Sequence, residues 1–272
     1  TGGFGATPRL PATIQDTYHA LNIINLSRRF DRTTGDESSI LAAGNERTYL
    51  AVCLRFLSSI GINTTFQLLW ACKSTGVEFD HAAVETAVHA KMQNAESLAE
   101  WYYCARILSE ILKKNHLVTA AGQDITAVLD RTWRCVEEAW MHIYLARVIG
   151  RELSLPESEL VAWFQACQNG DGGFGFFPGT TSFIENCHAC LRSLALLGSQ
   201  PMDLDRAALF LTGCQTAAGG FSRGGRAAPF LDATWHGLAS LSLLSSIPLD
   251  HGGAVHSEKI FGGSPIRRST MV

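Results

Sequence analysis

The chain carries no block of like charge. Its 22 lysines and arginines stand against 25 aspartates and glutamates, a net charge of −3 over 272 residues. A nucleic-acid surface needs a basic stripe, so that class of partner is excluded. The pair Arg267–Arg268 is too short for a membrane patch. No apolar run reaches membrane-spanning length and no secretory pattern is legible, so a transmembrane segment is not expected and a cytoplasmic location is. Metal-ligand spacing is scarce as well. Cys187-His188-Ala189-Cys190 has the look of one half of a site. On a helix, however, its cysteines stand one turn apart in an apolar run, and no second pair has zinc spacing. The eight cysteines fall mostly in apolar helical patterns, the usage of small core residues in a reducing compartment rather than of a disulfide framework. No metal or other cofactor is expected.

What is present is a large core and a repeat. At 46% hydrophobic and 17% charged, the chain can bury much of itself. The stretch CQNGDGGFGFFPGTTSFIENCHACLRSLALLG, Cys167 to Gly198, reads as a helix end, a glycine-rich turn and a second helix. Gly219 to Leu244 repeats it, again preceded by Cys-Gln, and a third copy starts at Gly2. A period of this kind decides the fold before any single residue does.

Between the copies the periodicity is helical, with little strand-like alternation. Ser27 to Gly44 reads as a polar loop with a short helical turn. Helices are expected at Arg47–Ile60, ended by Gly61, and at Thr65–Ser74, Ala82–Met92 and Leu98–Lys114. Gln123–Gly150 reads as two helices meeting near Arg131–Glu138. Pro156 and its following acids mark a helix start, as does Asp203 before Thr212. Past Pro248 the composition turns to glycine, serine and charge, and an irregular tail is expected. The division is therefore one domain over residues 1–247 and a tail over 248–272.

Aligning the copies by their glycine pair gives Ile14-Gln15-Asp16-Thr17-Tyr18, Ile184-Glu185-Asn186-Cys187-His188 and Leu231-Asp232-Ala233-Thr234-Trp235. The pattern extends onto Glu46–Tyr49, Ala99–Tyr102 and Glu137–Trp140, making six units. One column holds Gln15, Glu46, Glu137, Glu185 and Asp232. Three residues later another holds Tyr18, Tyr49, Tyr102, Trp140, His188 and Trp235. A spacing of three stacks both columns on one helix face. Six such helices around a centre would form a polar rim over an aromatic wall, a pocket for something long and apolar with a polar end. Helix-start acids and core aromatics account for the same columns without a ligand. His19, His188 and His236 are candidate polar groups of the pocket, or ordinary core and rim histidines.

The runs Gln168–Phe174 (QNGDGGF) and Gln215–Phe221 (QTAAGGF), with GDGGFGFFPG ahead of an alanine- and leucine-rich helix, resemble the repeat of protein prenyltransferase β subunits and squalene/terpene cyclases. The resemblance implies an all-α α/α toroid of about six helical hairpins, inner and outer rings, and a central funnel for an isoprenoid. It implies that Gln168, Gln215, Phe174 and Phe221 tie turns to outer-helix ends. Prenyltransferases of this kind hold zinc with an Asp-x-Cys pair and a histidine. The matching positions here are Phe230, Asp232 and Ala233 in the last copy, Phe183, Glu185 and Asn186 before it, and Thr13, Gln15 and Asp16 in the first. The cyclase motif Asp-x-Asp-Asp-Thr meets Phe230–Thr234 only at its third and fifth positions, which makes Asp232 the counterpart of the proton donor.

The expectation is a metal-free, prenyltransferase- or terpene-cyclase-like protein, a transferase or isomerase. Asp232 is its general acid, with Glu185 and Asp16 as further catalytic candidates. Tyr18, His19, Tyr49, Tyr102, Trp140, His188, Trp235 and His236 would bind the substrate, and the aromatic faces would stabilise a carbocation. The alternative is a non-catalytic toroid that binds an isoprenoid or a protein. The first copy lacks a preceding outer helix, and Tyr18 to Tyr49 is short against His188 to Trp235. A fragment, a closing C-terminal segment, or a partner or second domain completing the ring would each account for this.

Overall fold

A computed structural model describes residues 2–7, 9–30, 45–120, 122–130, 132–153, 155–225 and 227–246. Among them the chain is helical: α1 Ile14–Phe30, α2 Asn45–Leu54, α3 Ile62–Thr75, α4 His81–Met92, α5 Leu98–Arg106, α6 Asn115–Ala120, α7 Gly122–Leu129, α8 Val136–Ile149, α9 Glu157–Ala166, α10 Ile184–Leu196, α11 Leu204–Gly213 and α12 Leu231–Ser245. A π-helical turn, Ile107–Ile111, prolongs α5. The expected tail and most of the expected polar loop lie outside the described residues. Ser27 itself still belongs to α1, its hydroxyl returned to the Ile23 carbonyl.

Six helices form a closed ring. α1 packs on α3, α3 on α5, α5 on α8, α8 on α10, α10 on α12, and α12 back on α1. The remaining helices stand outside it: α2 against α3, α4 against α5, α6 and α7 against α8, α9 against α10, and α11 against α12. This is the α/α toroid, and its inner ring closes within the chain. One expectation changes. Glu46 and Tyr49 lie on α2, an outer helix, and the second inner helix is α3. The short Tyr18–Tyr49 spacing therefore measures an inner-to-outer step rather than a missing helix.

The glycine turns set where inner helices begin. In all three copies the turn aromatic accepts a hydrogen bond from the residue before its helix: Thr13 N–H to the Phe4 carbonyl at 3.0 Å, Phe183 to Phe174 at 3.1 Å, and Phe230 to Phe221 at 3.1 Å. Its own N–H is taken by one column of the helix, Thr17 Oγ1 at 3.0 Å, Cys187 Sγ at 3.3 Å and Thr234 Oγ1 at 3.0 Å. Cys187 thus does in sulfur what the threonines do in oxygen, and all eight cysteines are free thiols. Gly172 has φ +88°, and a Cβ there would lie 2.1 Å from the Arg206 carbonyl oxygen, so only glycine lets the turn meet α11.

Gln168 fastens that turn to the next outer helix. Its Nε2 donates to the carbonyls of Asp203 at 2.7 Å and Gly172 at 3.2 Å, and its Oε1 accepts from the Asp203 N–H at 2.9 Å. Asp203 in turn caps α11. Among the described residues Gln215 makes only the local bond, to Gly219 at 3.3 Å. Leaving partly buried backbone groups unpaired costs about 1–3 kcal/mol. Gln168→Ala is expected to lose about 2–3 kcal/mol in urea unfolding and Gln215→Ala less than about 1 kcal/mol. Equal losses would show that the cross-element tie carries no weight.

Candidate functional site

Side chains from the inner helices meet at the ring centre in layers. One layer holds Tyr18, Phe66, Tyr102, Trp140, His188 and Trp235. The rings of Tyr18 and Phe66 lie 6.1 Å apart, Trp140 Nε1 donates to the Tyr102 hydroxyl at 2.9 Å, and His188 meets Trp235 edge-on at 5.8 Å. Five of the six expected aromatic-column residues are therefore brought together. Tyr49 is not among them. It packs with Leu21, Leu50 and Leu68, and its hydroxyl reaches the Ala12 carbonyl at 3.3 Å. Phe66 of α3 occupies the place in the ring that the column had given it.

The acids stand at the helix starts, and each has a local partner. The Thr13 hydroxyl donates to Asp16 Oδ2 at 2.7 Å while capping the Asp16 N–H. Glu185 pairs with Arg223, leaving its Oε2 buried without a partner. Asp232 is half-buried and accepts the Ala233 N–H at 2.7 Å. Thr234, the other residue shared with the cyclase motif, serves the turn described above. Around this end Phe176, Phe177, Phe183 and Phe230 stay exposed.

One turn below the aromatic layer lies what the columns had not included. Four residues on from Tyr102, Trp140 and His188 come Arg106, Tyr144 and Arg192, on the same helix faces. Arg106 forms a two-pronged ion pair with Glu110, at 2.8 and 2.9 Å, and lies 3.9 Å over the Phe66 ring. The Tyr144 hydroxyl donates to the same carboxylate at 2.9 Å. Arg192 lies 4.4 Å over the Trp140 ring. Its Nε is buried without a hydrogen-bond partner, and no ion pair among the described residues reaches it. Burial lowers its pKa from the ordinary guanidinium value. The signal was available: an arginine four residues after a column aromatic, inside an otherwise apolar run.

Three histidines complete the centre. His188 and His236 face each other, Nδ1 to Nδ1, at 2.8 Å, and the His19 ring lies 6.3 Å from that of His236. Burial, then Arg192, holds His188 well below the usual histidine range, with His236 and Arg106 adding to the effect. Burial, then Arg192, His19 and Arg223, lowers His236 to about 3. Burial lowers His19 too, against the pull of Asp232 and Asp16.

This donor set does not fit zinc. Two imidazoles sharing a tetrahedral zinc would hold their nitrogens about 3.3 Å apart, wider than the direct contact seen. Among the described residues no three His, Cys, Asp or Glu side chains group as metal ligands. Two grooves on the outer surface, of about 460 Å³ along α4 and about 450 Å³ between Lys73 and Ile111, lie away from the centre and gather no comparable chemistry.

A family model, the prenyltransferase alpha-alpha toroid domain, matches residues 1–251. Among the solved structures that resemble the chain is one described as Candida albicans protein geranylgeranyltransferase-I complexed with GGPP. It is 14% identical with a TM-score of 0.56, over 85% of this chain and 83% of that one. No curated protein matches by sequence. Among the described residues no helix is long and apolar enough to cross a membrane.

The buried histidines make acid costly. The unfolded chain binds protons below about pH 6.5 that folded His188 and His236 refuse, so stability must fall as pH drops below that value. Together the pair should steepen the loss by about 1–2 kcal/mol per pH unit. Denaturant unfolding between pH 7.5 and 5 should show a shallower slope in His236→Asn. Identical slopes would mean the pair is not held neutral.

Proposed function

The chain belongs to the prenyltransferase alpha-alpha toroid family, and on that premise we propose that it takes an isoprenoid into its ring centre. The observation that carries this reading is the aromatic layer built by all six inner helices, with a cationic layer one turn below. Tyr18, Tyr102, Trp140 and Trp235 supply flat apolar faces to a prenyl chain, and Arg192, on which the Glu137 charge acts, supplies a cation with no ion pair among the described residues. Half-buried Trp70, Tyr103, Arg106, Arg192, Trp235 and His236 mark where the centre remains accessible.

For chemistry the best candidate is Asp232, a metal-free acid at the mouth. To protonate an alkene it would have to stay protonated until the ligand covers it, then be stabilised as a carboxylate. Its charge opposes the burial that lowers the His19 pKa, which makes His19 the candidate to stabilise that carboxylate. Glu185 and Asp16 are poorer candidates, since one is committed to Arg223 and the other to Thr13.

A second reading is a non-catalytic toroid. It is favoured by the tight packing of the centre, where Tyr102 is 3% and Trp140 5% exposed. The exposed phenylalanines at the mouth are then the surface a protein partner would cover.

Incubation with farnesyl diphosphate, geranylgeranyl diphosphate and squalene, read by binding and by product mass, separates the two. Trp140→Ala is expected to weaken binding at least about tenfold. If Asp232 is the acid, Asp232→Asn should cut turnover by about a hundredfold or more. Unchanged turnover removes Asp232, and binding without product leaves the non-catalytic toroid.

A further inference from the structure

We propose that the glycine turn before α12 is a docking site for a segment of this same chain, Pro248-Leu249-Asp250. The Gln215 amide bonds both backbone groups of Asp250, and the segment enters the outer ring between α12 and α1. The inference goes beyond the proposed function, since it concerns the frame that holds α12 rather than the ligand.

The first argument is a seat that the described residues leave open. The glycine turns before α1 and α10 each meet the outer helix that follows their own inner helix. A Cβ on Gly2 would lie 2.0 Å from the Asn45 carbonyl oxygen of α2, and one on Gly172 would lie 2.1 Å from the Arg206 carbonyl oxygen of α11. Four residues further along those helices, the rings of Tyr49 and Phe210 close over Gly3 and Gly173, each 2.7 Å from a Cβ built there. Gly219 has the same left-handed backbone, φ +95°, yet nothing among the described residues comes within 4 Å of its Cβ position. Gly220 meets only Pro229 and Thr234 of its own repeat. Between α12 and α1 the described residues place no outer helix. The surface beneath is apolar. Ile184, Leu191 and Leu194 of α10 are at most 2% exposed, whereas Leu231, Leu238 and Leu241, at the same offsets in α12, stay half-buried.

The second argument names the occupant. Asp203, whose N–H and carbonyl both bond the Gln168 side chain, stands 35 residues after that glutamine. The residue at the same distance from Gln215 is Asp250. The match extends around it, since Ser246 and Pro248 precede Asp250 as Ser199 and Pro201 precede Asp203. Each part has a task in the earlier copy. Pro201 is buried and cannot prolong α10, and Asp203 caps α11 by accepting the Arg206 N–H at 2.8 Å. Joined to α12 by a few residues, the segment reaches the turn at a high effective concentration that a separate chain lacks.

The third argument is the glutamine. Gln215 keeps the local half of the bonding that Gln168 has, Nε2 to the Gly219 carbonyl at 3.3 Å against 3.2 Å to that of Gly172. Its Oε1 accepts nothing among the described residues, whereas that of Gln168 holds the Asp203 N–H. Gln215 is exposed and Gln168 half-buried, so water replaces the tie at Gln215 when it is lost. The tie therefore sets the position of the segment more than the stability of the chain, and the small loss expected for Gln215→Ala stands.

Amide exchange of the full chain, followed by NMR, tests the docking with Asp203 as internal standard. The Asp250 N–H is expected to exchange at least about tenfold more slowly than an unstructured amide. Gln215→Ala should return it to the unstructured rate and leave the Asp203 N–H unchanged, while Gln168→Ala should do the reverse. Protection of Asp250 that survives Gln215→Ala would overturn the tie. An unprotected Asp250 N–H would overturn the docking itself. Protection that appears only at concentrations where the chain dimerises would also overturn it, and would assign the seat to a second copy.

Discussion

Every inner helix that follows a glycine turn starts from the same two hydrogen bonds to the turn aromatic, and the centre depends on them. They fix the starts of α1, α10 and α12 to one register. Side chains at the same offset from each start then arrive at the same depth, and a column in sequence becomes a layer in space. Cys187 shows how strict the demand is. It sits where two threonines do the same work, and that duty explains a cysteine that otherwise looks metal-like beside His188 and Cys190.

Depth sorts the charges. Asp16, Glu185 and Asp232 lie in first turns, where the helix dipole favours an acid, and each has a local partner besides. Their presence requires no ligand. Arg192 has neither advantage. The contrast makes the arginine, rather than the acids that a repeat alignment emphasises, the feature that the fold alone does not explain. The histidine pair lies between the two depths, where burial and then Arg192 hold both rings below the usual histidine range.

The toroid was legible because three copies carry the glycine turn, and glycine turns have few alternatives. Where the turn is absent the reading slipped. α3 follows Gly61 with no aromatic clamp, so the charge-and-aromatic spacing of Glu46 and Tyr49 drew the second unit onto α2. Phe66 and Trp70, four residues apart on α3, carry the correct spacing without a helix-start acid to announce it. Within the site, the spacing of three picked out Tyr18, Tyr102, Trp140, His188 and Trp235, all of them on inner helices, and missed Phe66. The cationic layer was not legible, because the columns stopped one turn too early. Extending each by four residues gives Arg106 and Arg192. The Nδ1-to-Nδ1 contact of His188 with His236 could not be read at all, since it depends on the angle between α10 and α12.

The central claim is that the ring centre receives an anion-headed prenyl chain. A crystal structure of the chain with farnesyl diphosphate tests it most directly. The account requires the diphosphate oxygens within hydrogen-bonding distance of Arg192 and the prenyl chain against Tyr102, Trp140 and Trp235. Ligand density confined to the outer grooves, with Arg192 still stacked and unpaired at a closed centre, would contradict it.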